Sequence, residues 1–285
     1  MRRPYGDPLV TVAIVDGSAD LRHPAFAEST VRVLPRPGVP HASERATDHA
    51  THLASIVFGR LAPLFCGLAP RCSGVVIPVF SRDAGGRTNP CSQEDLAAAI
   101  LAALAAGADV VNVSAGELDA AAVPAAALCE ALEACTAAGA VVVAAAGNDG
   151  CACPHVPAAW PGVLVVGAAN DAGDPLPLSN WGPAYSGHGV VAPGDRIFGA
   201  AANGGWSRQT GTSVATAIVS GVLALLISES LARYGRRDGA ENAARLLAAA
   251  NRARCAGTLC DRLLRGRLDP ERAVAALLRP HPGPG

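Results

Sequence analysis

Residues 10–16 read VTVAIVD, five apolar residues and one threonine closed by an aspartate. A short run so uniformly apolar fits a strand buried on both faces, as in a parallel sheet, better than a half-exposed strand that alternates with polar residues. Four more runs share its character: SGVVIPVF (73–80), ADVVNVS (108–114), GAVVVAAAGN (139–148) and GVLVVGAA (162–169). Between them lie Ala/Leu-rich segments with helical spacing. SQEDLAAAILAALAAG (92–107) opens with Ser92 as a candidate N-cap and Asp95 behind it, and AALCEALEACTAAG (126–139) ends on Gly139. Strand, helix and strand at this rhythm predict right-handed βαβ units, and hence an α/β fold with a mostly parallel central sheet. Such sheets carry their working residues at the carboxyl ends of the strands. Asp16 ends the first run, Ser114 the third and Asn148 the fourth, so three polar residues are expected on one edge.

The bulk composition narrows the function. The 285 residues are 50% hydrophobic, enough for one large core, and the unbroken alternation predicts one domain over 1–285. Its core is expected over about 9–278, with a flexible end at 279–285. With 23 basic and 24 acidic residues the chain has a formal charge of -1, which offers no field to recruit nucleic acid or an anionic membrane. The N-terminus MRRPYGDPLVTVAIVDG lacks the apolar core of a signal peptide, so the cytoplasm is the expected location. The longest apolar stretch, SVATAIVSGVLALLIS (213–228), is short for a membrane span and broken by Ser, Thr and Gly, so it reads as a buried helix. A last helix is expected in DPERAVAALL (269–278).

Chemistry concentrates in a few places. GTSVATAIVSG places Ser213 at a turn before the long helix, where backbone N–H groups and the helix dipole favour a developing anion. A serine hydroxyl needs a base, and His49 in DHATHLASIVFG is the candidate, with Asp16 as the carboxylate that orients it. Asn148 in AAGNDG is the candidate side-chain donor to an oxyanion. His52, one helical turn beyond His49, reads as a packed, hydrogen-bonded neighbour, since zinc would require further ligands at recognisable spacing. No metal or cofactor is expected.

The order Asp, His, Ser is that of the subtilisins. From residue 10 to about 275 the chain resembles a subtilisin-like serine protease of peptidase family S8, through VAIVDG, HATHLAS, AAGN and GTSVAT. Segments such as GNDGCACPHVPAA and LSNWGPAYSGHGVVAPGDRIFGA are similar to cyanobactin maturation proteases of the PatA and PatG type. The resemblance implies a three-layer subtilisin-like fold and a peptide substrate laid extended along Ser114, Ala115 and Gly116, with Gly147 and Cys151 at the same cleft. It also implies a precursor peptide as partner. PatA-type members cut leader from core, and PatG-type members release and macrocyclise the core with the help of a helical insertion over the site. Asp16 and His49 are only 33 positions apart, so leader removal is the expected reaction. A broad-specificity intracellular protease and a catalytically silent peptide-binding homologue are the alternatives.

The chain departs from the family pattern at Ala50, where glycine is usual, and at Ala217, where proline is usual. Neither removes a catalytic atom; the first narrows the space beside the base and the second loosens a helix start. GRLAPLFCGLAP (59–70) holds no Asp or Asn, so the calcium site that many secreted subtilisins place there is not expected, nor is an N-terminal folding prosegment. Nine cysteines cannot all pair within one chain, which agrees with a reducing compartment. Cys151 and Cys153 are expected to border the pocket as thiols or to pair with distant partners, because residues so close do not bridge easily. Cys66 with Cys72, and Cys255 with Cys260, are near enough to pair, while Cys129 and Cys135 read as small helix residues. His155, His188, Trp160, Trp181 and Trp206 read as packing.

Overall fold

The fold is built on strands that bury both of their faces. The computed structural model describes residues 4–35, 44–80, 90–252 and 257–279. The predicted runs become β1 (Thr11–Asp16), β3 (Ser73–Pro78), β4 (Val110–Val113), β5 (Val141–Ala145) and β6 (Leu164–Ala169). Two further strands, β2 (Val31–Val33) and β7 (Gly189–Pro193), form the edges of a seven-stranded sheet in the order β7-β6-β5-β4-β1-β3-β2. Every neighbouring pair is parallel. The sequence did not mark these two edge strands, because one has only three residues and the other lies among Gly and Pro.

Side chains alternate across the sheet. On β1, Val12 and Ile14 join the core beneath α1 (Glu44–Phe58), α4 (Thr212–Tyr234) and α5 (Gly239–Ala249), while Ala13 and Val15 join a second core with α2 (Gln93–Ala105) and α3 (Ala126–Ala137). Three layers result. The short α6 (Thr258–Arg262) precedes α7 (Pro270–Leu278), the expected last helix. Ser92 caps α2 by accepting from Asp95 N at 3.1 Å, and Gly139, at φ +76°, lies just beyond the end of α3. α4 is the one helix among the described residues long and apolar enough to cross a membrane, and it is buried within the fold as expected.

The carboxyl edge gathers the predicted polar residues. Asp16 is the last residue of β1, and Ser114, just past β4, donates its backbone N–H to Val15 O at 3.3 Å. Asn148 lies three residues beyond β5. After β7, the hairpin β8 (Ile197–Ala200) and β9 (Trp206–Gln209) packs beside α1 and leads directly into α4.

Candidate active site

Asp16 is fully buried at its strand end and accepts a hydrogen bond from Gly17 N at 2.6 Å. His49, on α1 with its side chain one-third exposed, places Nδ1 at 2.9 Å from Asp16 Oδ2 and 3.0 Å from Oδ1. A carboxylate accepts only, so Nδ1 is the donor in this bond. Asp48, the preceding residue, accepts from Ala202 N at 2.7 Å, and Asp20 accepts from Asn203 N at 3.0 Å. Asp48 thus ties the hairpin turn to the helix that carries His49, and Asp20 ties it to the loop after β1.

His52 is fully buried one turn further along α1 and donates from Nε2 to Ile197 O at 3.0 Å. Its Nδ1 is buried without a partner among the described residues. Burial holds its pKa down to about 4, so the ring is neutral. It is the packed neighbour expected, and it anchors β8 against α1.

Ser213 lies in the first turn of α4, only 8% exposed. The residue before it fixes Asn148: both Thr212 N and Thr212 Oγ1 donate to Asn148 Oδ1, at 2.9 and 3.0 Å. With its oxygen engaged, the Asn148 amide presents Nδ2 as the remaining donor group. Thr212 was not singled out from the sequence, although it adjoins Ser213. A second link runs through the sheet: buried Asn112 on β4 donates from Nδ2 to Ser114 Oγ at 3.2 Å and accepts from Ser220 Oγ on α4 at 3.1 Å. The predicted substrate strand and the serine helix therefore share one buried amide.

The loop after Asn148 departs from expectation. Cys151 and Cys153 form a disulfide, with Cα atoms 5.2 Å apart. That separation is within the range a bridge spans. The turn brings the two together because Asn180 Oδ1 gathers Asp149 N at 2.8 Å and Cys151 N at 3.5 Å. The expectation of free or distantly paired thiols is corrected accordingly, and this bridge weakens the inference of a reducing compartment from the cysteine count. Cys66 and Cys72 do not pair; the first is exposed, the second buried with its thiol pushed up to about 11 by burial. Cys260 is disulfide-bonded, and Cys255 lies outside the described residues. Cys129 and Cys135 sit on α3 as expected.

Gly147 adopts φ +102°, and a Cβ there would lie 2.4 Å from Asn180 Nδ2, so only glycine fits before Asn148. Buried Tyr185 braces the same loop by donating to Ala146 O at 3.0 Å and accepting from His155 N at 2.6 Å. His155 was expected to be packing alone, but its Nε2 bonds Asp149 Oδ2 at 2.9 Å. His188 contacts Ala158 O at 3.2 Å, and Trp206 stacks on Phe198, both as structural residues. Ala50 and Ala217 are fully buried within the core, where each is a tightly packed small residue. No group of three or more His, Cys, Asp or Glu side chains suited to a metal occurs among the described residues.

The geometry agrees with comparisons to known proteins. Residues 8–258 match the model of the subtilase family, Peptidase S8. The chain is 28% identical to a thermophilic serine proteinase of Bacillus sp. (strain AK1) over 82% of its own length and 56% of the relative's. It is 34% identical to a subtilisin-like protease of Coccidioides posadasii (strain C735), over 77% of this chain and 52% of that one. It thus spans about half the length of these two relatives. Among solved structures, the patellamide maturation protease PatA is 42% identical, with a TM-score of 0.87 over 95% of this chain and 98% of that one. The prenylagaramide maturation protease PagA is 41% identical, with a TM-score of 0.87 over 97% and 96%. The PatG macrocyclase in complex with peptide is 26% identical, with a TM-score of 0.87 over 97% and 94%. The chain belongs to the subtilase family, Peptidase S8.

Proposed function

We propose that this chain removes the leader from a ribosomally made precursor peptide by hydrolysis, using Ser213 as nucleophile, His49 as general base and Asp16 as its orienting carboxylate. The observation that carries the reading is the 2.9 Å bond from His49 Nδ1 to Asp16 at the carboxyl edge of the sheet. That edge also holds Asn148, tied to the residue before Ser213.

His49 Nε2 takes the Ser213 proton as Oγ attacks the carbonyl carbon. Asp16 holds the imidazole in the required tautomer and stabilises the imidazolium that forms. Asn148 Nδ2 and the Ser213 backbone N–H donate to the tetrahedral oxyanion, and the first turn of α4 adds its dipole. His49 then returns the proton to the leaving amine, and water repeats the sequence to release the acyl group. The peptide lies along Ser114, Ala115 and Gly116, with Gly147 and Cys151 bordering the cleft.

Hydrolysis is favoured over macrocyclisation by identity to PatA and PagA well above that to PatG. The described residues between Asp16 and β2 carry only a short helical turn, Pro24–Phe26. Residues 9–278 act as one unit in this reading, in the cytoplasm where such precursors are made, without cofactor, metal, nucleic acid or membrane.

Two mass measurements test it. A fluorophosphonate is expected to add once to the wild-type chain and not to Ser213→Ala. Absence of an adduct on folded wild type would favour a silent peptide-binding homologue. A precursor peptide is expected to yield a linear core, heavier by one water than a cyclic product; a cyclic core would overturn the hydrolytic assignment.

A further inference from the structure

The β8–β9 hairpin is tied to the segments that carry each member of the proposed triad. Ala202 N donates to Asp48 Oδ1 on α1 at 2.7 Å, and Asn203 N donates to Asp20 Oδ2 in the loop after β1 at 3.0 Å. Gly205 O accepts from His23 Nε2, in that same loop, at 2.9 Å. At its other end β9 finishes at Gln209, four residues before Ser213. One short ribbon therefore joins the loop that follows Asp16, the helix that carries His49 and the chain that enters the serine helix.

α1 grips this ribbon with one face. Asp48, His52 and Ser55 stand at i, i+4 and i+7, and each bonds a backbone group of the hairpin. Asp48 accepts from Ala202 N, His52 donates to Ile197 O at 3.0 Å and Ser55 accepts from Ala200 N at 2.9 Å. His52 and Ser55 are fully buried, whereas Asp48 is half-buried at the end of the face beside the site. The next residue, His49, turns about 100° around the helix and meets Asp16. A backbone N–H donating to a carboxylate makes a short, charge-assisted bond, and this one adjoins the proposed base.

Proton transfer requires Ser213 Oγ and His49 Nε2 within hydrogen-bond reach, about 2.6–3.2 Å. The two side chains stand on different helices, α1 and α4, whose apolar contacts tolerate small slips. A hydrogen bond holds its partners more narrowly. We infer that Asp48 is a positioning residue of the proposed triad: its bond to Ala202 N fixes the end of α1 that carries His49 against the ribbon that leads into Ser213. The inference rests on the proposed protease reading and adds a residue to that site. Without the bond, His52 and Ser55 still join α1 to β8, so the fold persists while the base gains freedom relative to the nucleophile.

The test reads fluorophosphonate addition to the folded chain, resolved into kinact and KI. Asp48→Ala should lower kinact by roughly 10–10²-fold, the loss that a small misplacement of reacting groups causes, with KI and the urea midpoint little changed. Asp48→Asn keeps an oxygen acceptor in place and should recover most of kinact. Ala202→Pro deletes the donor from the other side. Ala201 already has the extended backbone, φ −120° and ψ 159°, that precedes proline readily, and Ala202 opens a short helical turn where proline fits. The double variant Asp48→Ala with Ala202→Pro should be no slower than the slower single variant, because both changes remove one bond. Ala202→Pro decides the matter by itself if Asp48→Ala does not fold. A wild-type kinact in folded Asp48→Ala or Ala202→Pro, or losses that multiply in the double variant, would overturn the positioning role while leaving the protease reading intact. So would an Asp48→Asn variant as slow as Asp48→Ala, since the charge and not the bond would then matter. No adduct on folded wild type would instead overturn the protease reading, and this inference with it.

Discussion

On one face of the sheet, α2 and α3 bury Leu96, Ile100, Leu128 and Leu132 with one thiol, Cys135; on the other, α1 and α4 bury Thr51, His52, Ser55, Thr216, Ser220 and Ser228. The polar groups of the second face are not loose ends. Thr51 accepts from Asp20 N, Ser55 from Ala200 N and Ser228 from Asp7 N, and Ser220 reaches Asn112. The first face supplies cohesion through non-directional apolar burial, which tolerates small slips. The second supplies position, because a hydrogen bond holds its partners to a few tenths of an ångström. The candidate site stands on the second face and its loops.

That contrast predicts separable effects. Ser213→Ala should lower turnover of a cleaved peptide by roughly 10⁶-fold, the size known for the subtilisin triad, with little change in the urea midpoint. Near-wild-type turnover would remove Ser213 from the mechanism. Asn148→Leu should cost about 10²–10³-fold in kcat, as loss of one such donor does in subtilisin. A raised KM at constant kcat would place Asn148 in binding instead.

Leu128, fully buried on α3, sharpens the comparison from the other side. Leu128→Ala should destabilise the fold by about 2–5 kcal/mol in urea unfolding, while kcat measured well below the melting temperature stays within a few-fold. A large loss of kcat in the folded variant would mean that both faces position the site.

His52 gives the smallest and most local effect. Its folded pKa, lowered by burial to about 4, lies below the ordinary 6.5. As pH falls below 6.5 the unfolded chain takes up a proton that the folded chain refuses. The stability tied to His52 is therefore complete above pH 6.5, declines between 6.5 and 4, and is fully lost below 4. The loss amounts to about 3 kcal/mol at most. Urea midpoints at pH 7 and pH 4.5 should fall further apart in the wild type than in His52→Gln. Equal spacing would mean that the buried ring does not resist protonation.

The amino-acid sequence by itself determined the five central strands, the capped α2, the buried α4 and the order of Asp16, His49, Asn148 and Ser213. Each of these is written in local periodicity or in a short block of neighbouring residues. Tertiary structure alone decided the edge strands, the Cys151–Cys153 bridge, the hold of Thr212 on Asn148 and the place of His155 between Gly116 and Gly147. Thr212 lies 64 positions from Asn148, and Asn180 lies 31 from Asp149. Contacts at such separations leave no periodic trace in either segment, because they form only when the packed sheet brings its loops to one edge.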